Sequence, residues 1–222
     1  MLSTRSVVLI GAMLIALALI VLALVGTSAK QADAATTIVT KTFDKPAQIT
    51  IPAGADVAGG CLSGPTAGSA APYPSEKSVS AFPAGSHIRD VNLTLRNFTH
   101  HDDPNDVDVL LAHRGVNRTV MSDVSANNDD VNNITLVLDD EAATSLPASP
   151  PLVAGTFKPT NFALTDTFPF PAPTQNSASA LSGFDTLNPN GLWRLFVQDD
   201  ALFDCGAFLG GWSIKVRVAV PA

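Results

Sequence analysis

Pro189-Asn190-Gly191-Leu192-Trp193-Arg194-Leu195-Phe196-Val197-Gln198-Asp199-Asp200, followed a short loop later by Gly210-Gly211-Trp212-Ser213-Ile214-Lys215-Val216-Arg217-Val218, carries the plainest periodicity in the chain. From Trp212 the apolar positions Trp212, Ile214, Val216 and Val218 alternate with Ser213, Lys215 and Arg217. This period of two puts one face of a strand in a core and the other in water. In the earlier run Trp193, Leu195 and Val197 share one face, with Arg194, Phe196 and Gln198 on the other. Asn190-Gly191 supplies residues that tolerate positive φ, so a tight turn introduces that strand. Both runs therefore read as core strands.

Working outward, strands recur and helices do not. Beyond the N-terminal segment no run sustains apolar residues at helical spacing, and Pro, Gly, Asn, Asp and Ser interrupt the chain at short intervals. Further strands are expected at Thr36 to Phe43, Ala47 to Ile51, Val79 to Phe82, Ile88 to Arg96, Val107 to Ala112, Thr119 to Ser122 and Asn133 to Leu138. They join Leu192 to Gln198 and Trp212 to Val220. Many short strands with turn-rich links predict an all-β sandwich or jelly roll whose two sheets each bury one face. Two irregular stretches, Ala53 to Lys77 and Glu141 to Ser182, are long for passive connectors. They are expected to pack along the sandwich or to rim a binding surface.

The start of the chain reads as an export signal. Arg5 precedes an apolar run from Val7 to Val25, and Thr27-Ser28-Ala29 and Ala32-Asp33-Ala34 offer small residues for cleavage. The run is almost long enough to span a bilayer core of about 30 Å, so an uncleaved N-terminal membrane anchor is the alternative for residues 1–34. Either way, residues 35–222 are expected to work outside the cytoplasm as one domain of about 190 residues. The net charge is −7, and residues 35–222 are more acidic still, because Arg5 and Lys30 leave with only Asp33. No Lys/Arg cluster offers a grip on phosphate, which argues against nucleic acid and anionic membrane surfaces as partners. Any membrane contact is expected through the N-terminal segment alone. Cys61 and Cys205 both lie in the exported part, where an oxidising compartment favours a structural disulfide over two free thiols. Closing so long a loop contributes on the order of 4 kcal/mol if unstrained.

The order of segments resembles the P domain (Homo B domain) that accompanies subtilisin-like proprotein convertases, and more closely the stand-alone P-domain-like modules of exported bacterial proteins. The matching pieces are Ser86 to Leu95, Asn97-Phe98-Thr99-His100, Asn105 to Leu111, Leu138 to Ala143, Ala154 to Asn161, and the two Trp-led strands. The resemblance implies a jelly-roll β-sandwich similar to galactose-binding domains. It implies architecture rather than activity, since the family's modules sit beside serine endopeptidases of the subtilase type. This chain has no room for such a catalytic domain. Some convertase P domains carry Arg-Gly-Asp where this chain reads Pro104-Asn105-Asp106, so integrin-type recognition through that motif does not carry over.

Catalytic motifs are absent from the sequence. No Gly-x-Ser-x-Gly elbow occurs, and Gly60-Cys61-Leu62-Ser63-Gly64 misplaces the serine. His100 and His101 are adjacent, so their side chains leave a strand on opposite faces rather than meeting at one metal as helical zincin ligands do. His87 and His113 read as surface residues, and His100 as a hydrogen-bonding loop residue. Abundant Asp pairs keep a paired-carboxylate glycosidase open, though an acidic solvated surface gives the same abundance.

Calcium is the sharper chemical expectation, because hard cations take several oxygen ligands. Asp102, Asp103, Asn105, Asp106 and Asp108 crowd one loop and strand start; Asp123 with Asn127 to Asp130 crowd another; Asp199, Asp200 and Asp204 form a third group. None has EF-hand spacing. Asp106 and Asp108 fall on one strand face, opposite Val107 and Val109, so the expected ligands are Asp106, Asp108, Asp199, Asp200 and Asp204. Sequons at Asn92, Asn97, Asn117 and Asn133 permit N-glycosylation where the host supplies it.

The expected function is that of an exported, non-catalytic module that binds or stabilises a partner, either a cell-surface protein or an exported subtilisin-like protease. A carbohydrate-binding module is the alternative, with Tyr73 and the Phe residues between Phe157 and Phe184 as the available stacking aromatics. A hydrolase stands third.

Overall fold

The structure is a computed structural model that describes residues 36–58, 61, 67–126, 130–162 and 166–222. The N-terminal segment 1–34 lies outside the described residues, as do parts of the two irregular stretches and residues 127–129. The strands are β1 (Thr36–Lys45), β2 (Ile49–Ile51), β3 (Gly68–Ser69), β4 (Ser75–Val79), β5 (His87–His101), β6 (Val107–His113) and β7 (Val116–Ser122). They continue as β8 (Val131–Leu138), β9 (Gly155–Phe157), β10 (Thr160–Asn161), β11 (Gly191–Asp199), β12 (Cys205–Phe208) and β13 (Trp212–Pro221). Single 3-10 turns at Pro104–Asp106 and Leu181–Phe184 are the helical elements among the described residues.

Two sheets pack face to face in a β-sandwich. In the first, β13 lies between β1 and β5, and the far half of β5 continues to β12 and then β2. The other edge of β5 carries β8, which pairs β9 in parallel. The second sheet runs β10-β7-β6-β11, with β3 and β4 on successive lengths of the outer edge of β11.

The alternation of the two Trp-led runs explains their placement. Trp193, Leu195 and Val197 of β11 and Trp212, Ile214, Val216 and Val218 of β13 are all fully buried in one core. They lie in opposite sheets, and β12 intervenes between them, so the link is a crossover that contains a strand rather than a short loop alone. Each indole N–H still finds an acceptor: Trp193 Nε1 donates to the Pro189 carbonyl at 3.2 Å, and Trp212 Nε1 to Ser75 Oγ at 2.9 Å. The second bond ties the first sheet to β4 of the second across the core. The β12–β13 turn needs Gly211, whose φ is +63°, because a Cβ there would collide with the Lys45 and Ala47 carbonyls.

The disulfide pairs Cys61 with Cys205, with Cα atoms 5.7 Å apart. It fits an oxidising, extracytoplasmic setting. Among the described residues no helix is long and apolar enough to cross a membrane.

Several strand boundaries differ from the sequence reading for physical reasons. The strand expected at Val79 to Phe82 is instead β4. Its polar Ser-Glu-Lys-Ser run pairs with β11 and turns only Ser75 and Val79 inward. β5 continues five residues past Arg96 because Asn97, at φ 52°, is absorbed as a bulge where the pairing with β8 shifts register. β3, β9 and β10 arise within the stretches read as irregular. Phe196, assigned to the solvent face of β11, is buried beneath Tyr73, whose ring centroid lies 5.2 Å away. Asn92 is 4% exposed within β5, so its sequon lies out of reach of a glycan in the folded protein.

Substituting Ser75→Ala leaves the buried Trp212 N–H without an acceptor. The expected cost is about 1–3 kcal/mol in denaturant unfolding, against roughly 0.5 kcal/mol or less for exposed Ser78→Ala. Equal effects would show that the cross-sheet bond contributes nothing. Reducing the disulfide is expected to remove on the order of 4 kcal/mol, read as a fall in melting temperature of roughly 10 °C.

Candidate functional site

The acidic residues gather where β5 and β11 end, β6 begins and the 200–204 loop crosses between the sheets. Asp199 ends β11, with its backbone paired to Val107 of β6 and Gly68 of β3. Asp106 closes the 3-10 turn before β6, and the Asp200 N–H donates to its carbonyl at 3.0 Å. Asp204 immediately precedes the disulfide cysteine of β12.

The structure brings the five expected ligands into one acidic neighbourhood but sorts them into two groups. Asp106, Asp199 and Asp204 meet His100 in the first: the carboxyls of Asp106 and Asp204 are hydrogen-bonded, and one ligand atom each from His100, Asp199 and Asp204 lies within 4.8 Å of the others. Asp108 turns to the second group, where its ligand atom and those of Asp123 and Asp166 are equally close. The face shared by Asp106 and Asp108 in a regular strand does not hold, because Asp106 sits in the turn ahead of the ladder. Gln198, opposite Asp108 in the β6–β11 register, donates to its Oδ2 at 2.9 Å. Ser122 Oγ at the end of β7 lies within hydrogen-bond reach of both Asp123 and Asp166. Asp200 feels the charges of both groups.

Three residues at the candidate sites escaped the sequence reading. His100 is fully buried within β5 rather than placed in a loop, with Nε2 3.6 Å from Asp199 Oδ2. Asp166 falls in a Pro/Thr/Phe-rich stretch with no signal of its own. His113 is not a surface residue: it is 2% exposed and stacks on Trp193 with ring centroids 4.0 Å apart. Its Nδ1 and Nε2 face the Leu192 and Asn188 carbonyls. Burial pushes its pKa down, partly offset by those two carbonyls.

The electrostatics follow from crowding. Burial, the bond to Asp204 and the charges of Asp204, Asp103 and Asp199 push Asp106 up to about 7. Burial first, and the charges of Asp166 and Asp200 next, push Asp108 up to about 8. Asp200 and Asp204 rise to about 6, each chiefly through burial. Carboxylates this close ionise together only beside a counter-charge, and no Lys or Arg stands among the groups acting on them. An arrangement of this kind supplies the oxygen ligands that a cation takes.

A second feature lies on the outer face of the second sheet. Ala112 and His113 of β6, the Arg114-Gly115 turn, Arg194 and Phe196 of β11, and Pro171 and Pro173 line a groove of about 440 Å³. The Glu76–Arg194 ion pair, 2.8 Å long, forms part of its wall. The second irregular stretch builds the rim: Tyr73 Oη donates to the Pro169 carbonyl, and Asn117 Nδ2 to that of Thr174. Phe170, next to Pro171 in the chain, is 95% exposed.

Comparison with family models, with curated proteins and with solved structures finds no match.

The raised carboxyls fix the sign of a pH dependence. The folded chain keeps protons on Asp106 and Asp108 where the unfolded chain has lost them. Their stabilisation is therefore full below about pH 4 and disappears as pH rises through about 7 and about 8. In the presence of a chelator, the melting temperature is expected to fall between pH 5 and 9 on this account. Asp108→Asn, which keeps an acceptor for Gln198, is expected to flatten much of that slope and to gain a few kcal/mol over the parent at the alkaline end. Parallel slopes in parent and variant would refute this.

Proposed function

We propose that the chain is an exported, non-catalytic β-sandwich module of P-domain type, and that it binds a partner protein across the outer groove of the second sheet. The observation that carries this reading is the groove itself. Tyr73 and Asn117 hold the 169–174 segment at the sheet face by hydrogen bonds, so that Pro171 and Pro173 line the groove with Arg114 and Arg194, and the exposed Phe170 adjoins Pro171 in the chain. An aromatic ring close to arginines is a composition that concentrates binding energy at interfaces. The partner is a cell-surface protein or an exported subtilisin-like protease, and the chain's route to it is export or display through residues 1–34. The disulfide supports that compartment.

Calcium is part of the proposal. The oxygen-only group of Asp108, Asp123 and Asp166, with Asp200 beside it, suits a hard cation, which would replace the protons held there and pin β6, β7 and the 166 segment together. Carbohydrate binding is the second reading, favoured by Phe170 as a stacking platform.

A photo-reactive residue at position 170 is expected to cross-link an exported or surface protein, with no such product from exposed position 40 on β1, and Phe170→Ala with Arg194→Ala is expected to weaken the association. Equal labelling from both positions, or turnover of peptide or glycoside substrates, overturns the reading; glycan binding lost in Phe170→Ala transfers support to the second one. Excess calcium over chelator is expected to raise the melting temperature by roughly 5–10 °C, and Asp108→Asn to abolish the rise. No shift in the parent sinks the calcium part.

A further inference from the structure

The first acidic group contains a nitrogen ligand, and that changes which ion it suits. His100 is fully buried on β5, and neither ring nitrogen has a hydrogen-bond partner among the described residues. Asp199 Oδ2 and Asp204 Oδ1 are buried and make no well-directed hydrogen bond, although the two carboxyls lie close enough to act on each other. Leaving one such atom unpaired costs on the order of 1–3 kcal/mol, more for a charged group, so four such atoms on three side chains call for a common partner. A direct imidazolium–carboxylate bond would close to about 2.8 Å. The observed separation of Nε2 and Asp199 Oδ2 is 3.6 Å. That spacing is close to the roughly 3.4 Å between neighbouring ligands of an ion bound at about 2.1 Å in a tetrahedron.

The surroundings hold these ligands in place. Asp199 Oδ1 accepts from the Ala201 N–H at 3.1 Å, which turns Oδ2 toward His100. Gly206 lies opposite His100 in the β5–β12 ladder, and a Cβ there would collide with the Thr99 carbonyl and the His100 ring, so the imidazole is walled in on that side. Asp204 is anchored by the adjacent Cys61–Cys205 bridge and by its hydrogen bond to Asp106.

We propose that His100, Asp199 and Asp204, with Asp106 orienting Asp204, form a binding site for a divalent first-row transition ion, zinc being the type. Calcium takes oxygen ligands in sets of six to eight, whereas one imidazole and two carboxylates match zinc. The ligands come from β5 in one sheet, β11 in the other and the crossover between them, so the ion would act as a clamp closing that end of the sandwich. The site is separate from the oxygen-only group, and neither reading depends on the other.

The test uses the full oxidised chain and cobalt(II) as a spectroscopic stand-in for zinc. After chelation and desalting, cobalt titration is expected to give a saturable visible absorption band that zinc displaces and excess calcium does not. His100→Gln is expected to weaken zinc by on the order of 100-fold, while the calcium-dependent melting shift assigned to Asp108 persists. Asp204→Asn provides the same readout if His100→Gln fails a near-UV circular dichroism check of folding. The inference is overturned by the absence of a saturable band in the parent, by displacement of cobalt with calcium, or by parental zinc affinity in a folded variant.

Discussion

The fold depends on the burial of β11 against β13 from opposite sheets. Each strand offers an unbroken apolar face led by a Trp, and neither face has anywhere else to go. Because the two strands are separated by only a dozen residues, the chain must leave one sheet, cross the end of the sandwich and enter the other within the 200–204 loop. Everything else at that end is arranged around this crossing. The disulfide attaches Cys61 to its far side, and β12 fills the gap between β5 and β2.

Crowding carboxylates at a crossover is unfavourable for the fold alone, and burial makes it more so. Residues that only kept the surface soluble would serve as well anywhere on the exterior. Here Asp108, Asp199 and Asp204 are each almost wholly buried, and the carboxyls of Asp106 and Asp108 hold their protons near neutrality. The same end therefore carries both the crossover between the sheets and a set of buried carboxyls. Ligands that relieve the charges would also hold the crossover shut, which couples binding at this end to the packing of the two sheets. The outer groove is chemically different, built from prolines, arginines and one exposed ring, and it draws on the sandwich only as a rigid floor.

The class of the fold was legible because period-two alternation is a local property: β11 and β13 announce themselves, and β1, β6 and β8 nearly so. β12 was not legible. Cys-Gly-Ala-Phe is buried on both faces and carries a Gly that only its close approach to His100 explains. β5 was cut short because Asn97 and the polar Thr-His-His-Asp-Asp run after it look like a loop, whereas a bulge lets the strand continue and carries His100 inside. The candidate ligands were legible as residues but not as a set. Spacing along β6 says which face a side chain takes, yet which neighbours close upon it is decided by strands far away in sequence. Asp166 shows the limit most clearly, since nothing around it marks it until the segment lies beside β7.

The pairing of β1 with β13 sets Thr36 opposite Pro221. On the same sheet, His87 of β5 lies opposite Ala219, and His100 lies thirteen residues further along, beyond the end where Lys45 meets Trp212. At about 3.3 Å per residue, that places the entry and exit of the described chain roughly 40 Å from the acidic crossover. Groups attached at Thr36 or Pro221 would therefore lie far from His100 and leave the crossover end of the sandwich uncovered.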